Sequence, residues 1–136
     1  MADARQAIEA QSHGCDFLLI EGAGGLLSPL GESFNAADLI VQLGCEVILV
    51  AANRLGVLNH TLLSVEALTR RRIPRIKIAL VDTAAPELAS ESNGEDLRSL
   101  CPAVPLVRLP FLPDYRPEEP FFRTAADDLN LARLLE

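Results

Sequence analysis

Several short stretches of this chain set residues able to bind or react just past an apolar run. Glu21-Gly22-Ala23-Gly24-Gly25 follows Phe17-Leu18-Leu19-Ile20, and Asn53 and Arg54 follow Val47 to Ala51. Asp82 and Thr83 follow Ile76 to Val81, and Pro110-Phe111 follow Leu106 to Leu109. A carboxylate beside glycines suits Mg²⁺, which takes one or two acidic groups together with phosphates, and glycines let a backbone approach a ligand closely. Taken alone, the pentapeptide fits a tight turn with an exposed Glu21 somewhat better. Asn59-His60-Thr61 lies where a helix begins, and free N–H groups there attract anions, although Asn59 as a plain N-cap is the simpler reading. Arg54 suits a phosphate, a carboxylate or a solvated loop equally. His60 has only His13 for company and no Cys pair at ligand spacing, which argues against zinc. No Gly-x-Ser-x-Gly elbow is present, so nucleophilic catalysis has no support.

The elements that must position these residues alternate. Residues 2 to 12 read as a helix, and Phe17 to Ile20 as a buried strand. Ala36 to Leu43 reads as a helix with Asn35 or Ser33 as its cap, and Val47 to Ala51 as a second buried strand. Asn59 can cap a helix to about Arg72, with Leu62, Leu63, Val65 and Leu68 facing inward. Ile76 to Val81 is a third strand, Pro86 to Gly94 a polar loop and Glu95 to Leu100 a short helix. Leu106 to Leu109 is a fourth strand, and a terminal helix starts at Thr124 or Ala125. Continuous apolar strands alternating with helices predict an α/β fold, a parallel sheet of about four strands with helices on both faces. Ligands of such sheets bind past the carboxyl ends of the strands, so Glu21, Asn53, Asp82 and Pro110 are expected on one rim.

Composition narrows the classes. The 136 residues suit one domain, and 49% apolar with 23% charged residues suits a chain that buries a core. The apolar runs are far shorter than the ~20 residues of a membrane span. The first residues carry an early acid and no basic-then-apolar block, so a cytoplasmic address is expected. Cys15, Cys45 and Cys101 are odd in number and widely spaced, as reduced thiols would be. A net charge of −7 disfavours nucleic-acid backbones, and the run Arg70-Arg71-Arg72 with Arg75 and Lys77 reads as cations near a helix C-terminus. Lys77 is the one lysine, so these residues contain no Gly-Lys-Ser/Thr phosphate loop.

In tandem, Ile20-Glu21-Gly22-Ala23-Gly24-Gly25-Leu26-Leu27, Pro29-Leu30 and Leu55-Gly56-Val57-Leu58-Asn59-His60-Thr61-Leu62-Leu63 resemble ATP-dependent dethiobiotin synthetases. The resemblance covers most of this chain and about the C-terminal 60% of a usual member. It implies a P-loop NTPase-like fold and a homodimeric ligase of biotin synthesis. Such an enzyme uses ATP, Mg²⁺ and CO₂ to close a ureido ring on diaminopelargonate. By the same resemblance Glu21 holds Mg²⁺ and serves catalysis, and Gly22, Ala23 and Gly24 lie at the nucleotide. Asp82 and Leu109, Pro110 and Phe111 border the adenine, while Gly56, Val57 and Asn59 reach the diamine across the dimer interface. The family's adenine-reading Asn-Asp pair here reads Val81-Asp82, and Val81 supplies no amide to discriminate a base.

The family's N-terminal third, with its phosphate loop, has no counterpart in these residues, so the chain alone is expected not to turn over. The strand missing with it is expected to leave apolar edges that rearrange, associate or lower stability. Two other readings are kept: a non-enzymatic dimerisation or binding module of the same fold, and a remnant of another P-loop-related amidoligase or partition ATPase.

Overall fold

The structure is a computed structural model, described here for residues 1–113; the expected terminal helix lies outside the described residues. In chain order the elements are α1 (Ala2–Ser12), β1 (Pro29–Gly31), β2 (Phe34–Asn35), α2 (Ala36–Leu43) and β3 (Val47–Ala52). They continue with α3 (Val57–Arg70), β4 (Ile76–Val81), α4 (Ala89–Leu100) and β5 (Leu106–Leu109). The central sheet is parallel in the order β3-β4-β5, with Val47 opposite Ile76 and Val81 opposite Leu109. The short β1 and β2 form a separate antiparallel pair.

The α/β class holds, but Phe17 to Ile20 is not a strand. The segment is irregular and its four apolar side chains are exposed, Phe17 and Leu19 at 63% and 73%. An apolar run becomes a buried strand only where a neighbour pairs its backbone and a helix covers its side chains, and no described element does either here. The parallel sheet therefore has three described strands rather than four.

Two clusters form the core on one face of that sheet. Val47, Leu68 and Ile73 gather Leu26, Ile40, Leu49 and Ile76 near the strand starts. Val57, Leu80 and Leu97 gather Ala51, Leu58, Leu62 and Leu106 near the strand ends. These strand residues alternate in sequence, so they share the side that α3 and α4 cover. On the opposite side Val50 at the β3 edge is 74% exposed, whereas Lys77 and Ala79 of the central β4 are buried, at 6% and 2%.

Helix boundaries follow local chemistry. Asn35 caps α2 through a reciprocal box: its Oδ1 accepts from the Asp38 N–H at 3.1 Å, and Asp38 Oδ2 accepts from the Asn35 N–H at 3.0 Å. Helix α3 starts two residues before Asn59, because Gly56, at φ +91°, adopts the left-handed turn that launches it. Asn59 thus sits inside the first turn, and Leu63, expected inward, is 56% exposed. Helix α4 begins at Ala89 rather than Glu95, since Ser90, Asn93, Gly94 and Leu97 form one buried helical face.

The end of α3 explains the basic run. Ile73 N–H donates to Leu68 O at 3.2 Å and Arg72 N–H to Thr69 O at 2.9 Å, and Ile73 packs against Leu68. This is a Schellman ending, with Arg72 in the position that favours glycine, at φ +59°. Arg70 pairs with Glu66, Arg75 with Glu46, and Arg71 Nη1 donates to Ala67 O at 3.1 Å. Arg72→Gly is expected to raise stability by roughly 1 kcal/mol, the relief of ~1–2 kcal/mol of left-handed strain less the added freedom of the unfolded chain. Urea unfolding followed by circular dichroism measures it, and an unchanged or lower midpoint refutes it.

All three cysteines are free. Burial pushes the thiols of Cys45 and Cys101 above their ordinary value, so both remain protonated at neutral pH. No described helix is long and apolar enough to cross a membrane.

Candidate functional site

At the carboxyl ends of the parallel strands lies a connected set of polar side chains. Asn53, fully buried one residue past β3, donates from Nδ2 to Asp82 Oδ1 at 2.7 Å and to Ser90 O at 3.0 Å. Its Oδ1 accepts from Asn93 Nδ2 at 2.9 Å, and its backbone carbonyl accepts from Ser90 Oγ at 2.9 Å. From β5, Arg108 Nε donates to both oxygens of Asp82, at 3.0 and 3.1 Å. Each polar group of the Asn53 side chain is thus matched, as a buried amide requires.

The same mesh fixes the loop that leads into α3. Glu87 Oε2 accepts from the Leu55 N–H at 2.7 Å, and Arg54 O accepts from the Val57 N–H at 3.1 Å. Gly56 and Asn59 are exposed, while Val57 is buried against Leu80 and Leu97. Beside this loop runs a groove lined by Leu49 to Ala52 of β3, by Arg54 and Leu55, and by Val57, His60, Thr61 and Ser64 of α3.

Of the expected site residues, Asp82 and Leu109 are joined directly, Asp82 N–H donating to Leu109 O at 2.8 Å. Pro110 and Phe111 follow, both exposed. Asp82 is held from two sides by Asn53 and Arg108, so much of its acceptor capacity is used within the protein.

Glu21, Gly22, Ala23 and Gly24 lie apart from this network. They are exposed, and no hydrogen bond or ion pair among the described residues ties Glu21 to the rim. Five residues on, Leu26 packs beside the strand starts, against Val47, Leu68 and Ile73. The intervening turn has its own logic: Gly24 is left-handed at φ +77°, Ser28 Oγ accepts from the Gly25 N–H at 2.9 Å, and Gly25 O accepts from the Ser28 N–H at 2.9 Å. No group of three or more metal-ligating side chains occurs among the described residues. One exposed carboxylate remains compatible with Mg²⁺, which needs few protein oxygens when phosphates and water complete its shell.

Ser90, Asn93, Glu87 and Arg108 were not legible as members of the rim. The signals were present: polar residues at positions 90 and 93 share a helix face with Leu97, and Arg108 interrupts an apolar strand. Neither pattern says which partner a polar residue meets.

This parallel sheet, its helices and the glycine-flanked Glu21 belong to a defined class. The chain is a member of the AAA domain family, whose pattern matches residues 1–119. Within it the chain is dethiobiotin synthetase-like. It is 43% identical over 98 residues to the ATP-dependent dethiobiotin synthetase BioD of Anaeromyxobacter dehalogenans, covering 71% of this chain and 44% of that protein. Against the Rhodococcus erythropolis BioD the identity is 46% over 96 residues, 69% of this chain and 42% of that protein. Against the Sulfurovum BioD it is 54% over 59 residues, 43% of this chain and 28% of that protein. The chain thus spans less than half the length of these relatives.

Proposed function

We propose that this chain acts in biotin biosynthesis as a dethiobiotin synthetase-like protein, in the ATP-dependent closure of a ureido ring on diaminopelargonate. The observation that supports the reading is the tandem of Glu21-Gly22-Ala23-Gly24-Gly25 and Leu55 to Leu63, in a chain 43% and 46% identical to proteins of that name. One amine of the diamine attacks CO₂ and loses a proton to give a carbamate, and a carbamate oxygen takes the γ-phosphoryl group of ATP as its bond to the bridging oxygen breaks and ADP leaves. The second amine then attacks the carbamoyl carbon and loses a proton, phosphate leaves, and the ring closes.

In this reading Glu21 offers a hard oxygen to Mg²⁺, which when bound supplies positive charge beside the phosphates. Gly22, Ala23 and Gly24 let the nucleotide approach the backbone, and Leu109, Pro110 and Phe111 border the base with Asp82. Gly56, Val57 and Asn59 meet the diamine at the start of α3, across a homodimer interface. A lysine-bearing phosphate loop does not occur in these 136 residues, so turnover requires one from elsewhere.

The test is ATP-dependent incorporation of labelled CO₂ into ring product by this chain mixed with a polypeptide carrying a Gly-x-x-x-x-Gly-Lys-Thr segment. Product is expected in the mixture and not from this chain alone, and Glu21→Gln should lower the rate at least about a hundredfold. Full activity in Glu21→Gln would remove that residue from the chemistry. A stable dimer without nucleotide affinity or product would instead support a binding module of the same fold.

A further inference from the structure

At the carboxyl ends of β4 and β5 the hydrogen-bond acceptors are largely spent. Asp82 Oδ1 accepts from Asn53 Nδ2 at 2.7 Å and from Arg108 Nε at 3.0 Å, and Asp82 Oδ2 accepts from the same Nε at 3.1 Å. The Val81 carbonyl accepts from the Asn53 N–H at 2.7 Å, and the Leu109 carbonyl accepts from the Asp82 N–H at 2.8 Å. The Val81 side chain between them has no polar group at all.

The donors are in the opposite condition. Arg108 engages Asp82 through Nε, while its Nη1 and Nη2 bond no group among the described residues, on a side chain that is 42% exposed. A guanidinium carries five N–H donors and no acceptor, so most of its donors remain to be met. Three residues on, Phe111 is 46% exposed and offers a ring face. Stacking on such a face tolerates every base, so the polar edge of the base is what a site of this kind can tell apart.

We infer that Arg108 sets the base preference at the nucleotide end, which takes a base with an acceptor edge, guanine, at least as tightly as adenine. This rests on the functional reading above, in which Asp82 and Leu109 to Phe111 border the base. Adenine brings its N6 amine, a donor, to a rim whose carboxylate is already engaged and whose open groups are donors as well. Donor then meets donor, and a hydrogen-bonding site discriminates most sharply against the partner that leaves its groups unpaired. Guanine presents O6 and N7, two adjacent acceptors that the paired Nη groups of an arginine match. Arg108 therefore acts twice, withdrawing Asp82 from the base and presenting donors of its own. The phosphates of GTP and ATP are identical, so the phosphoryl transfer proposed beside Glu21 is the same with either.

Equilibrium dialysis of labelled GTP and ATP, each with Mg²⁺, against the full chain mixed with the phosphate-loop polypeptide tests this. GTP should bind at least as tightly as ATP. Arg108→Met keeps the length of the side chain, removes its donors and opens the Asp82 carboxylate to an amine, so the ratio of GTP to ATP affinity should fall by about tenfold or more. Arg108→Lys keeps the charge but loses the paired donors, and it should move the ratio in the same direction, which decides the matter if the methionine variant does not fold. A clear preference of the unaltered chain for ATP overturns the inference and leaves the functional reading standing, as does a ratio that neither variant moves. Binding of neither nucleotide overturns the functional reading, and the base preference with it.

Discussion

Replacing Asn53 by alanine should lower the free energy of unfolding by about 3 to 5 kcal/mol, because it strands several buried partners together. The Asn53 amide holds Asp82 Oδ1, the carbonyl of Ser90 and the amide of Asn93, in a position with no solvent access. Alanine fills none of the space and answers none of these groups. Arg108 still pairs with Asp82, which keeps the loss below a simple sum of the broken bonds. Urea unfolding of Asn53→Ala, Asn93→Ala and the double variant would measure the coupling, with the double change costing clearly less than both singles added. Additive costs, or a loss for Asn53→Ala below about 1 kcal/mol, would show that the network contributes little.

Leu80→Ala should cost a comparable amount, about 2 to 5 kcal/mol, through the lost transfer of the side chain and the cavity it leaves. Leu80 is fully buried in β4, with Val57 at the start of α3 and Leu97 of α4 packed on it. The start of α3 and the last turn of α4 rest on one side chain, so the strand ends have little means of collapsing into the gap. Leu80→Met, which conserves volume, should cost less than about 1.5 kcal/mol. Equal losses for the two variants, read by thermal or urea unfolding, would show that filling this space is not what matters.

How far the sequence could be read depended on whether a signal was local. The Asn35 cap, the apolar strands at Val47 to Ala51 and Ile76 to Val81, and the cations at the end of α3 are set by neighbours within a few residues, and they stand where the residues place them. Phe17 to Ile20 carries the same apolar signal as β3, but a strand also needs a partner that periodicity does not name, and here the segment is irregular. Glycine misled in two directions. Gly94 suggests loop but sits buried in α4, where a Cβ would make only ordinary contact with Leu80, whereas Gly56, not Asn59, is the left-handed start of α3. At the rim, Asn53 and Asp82 stood out at strand ends, yet their bonds to Ser90, Asn93 and Arg108 join residues 26 to 40 positions apart. Pairings of that kind arise only from the three-dimensional register of the strands.

The bond from the Leu55 N–H to Glu87, together with the Asn53 mesh, immobilises the turn between β3 and α3 before any ligand arrives. Ordering a flexible loop would take ~0.5–1.5 kcal/mol from the affinity for each side chain stilled. Here that entropy is surrendered when the chain folds, so the small molecule proposed to dock beside Gly56 and Asn59 would meet a surface already in its final shape. Association there should be governed by fit and desolvation more than by rearrangement.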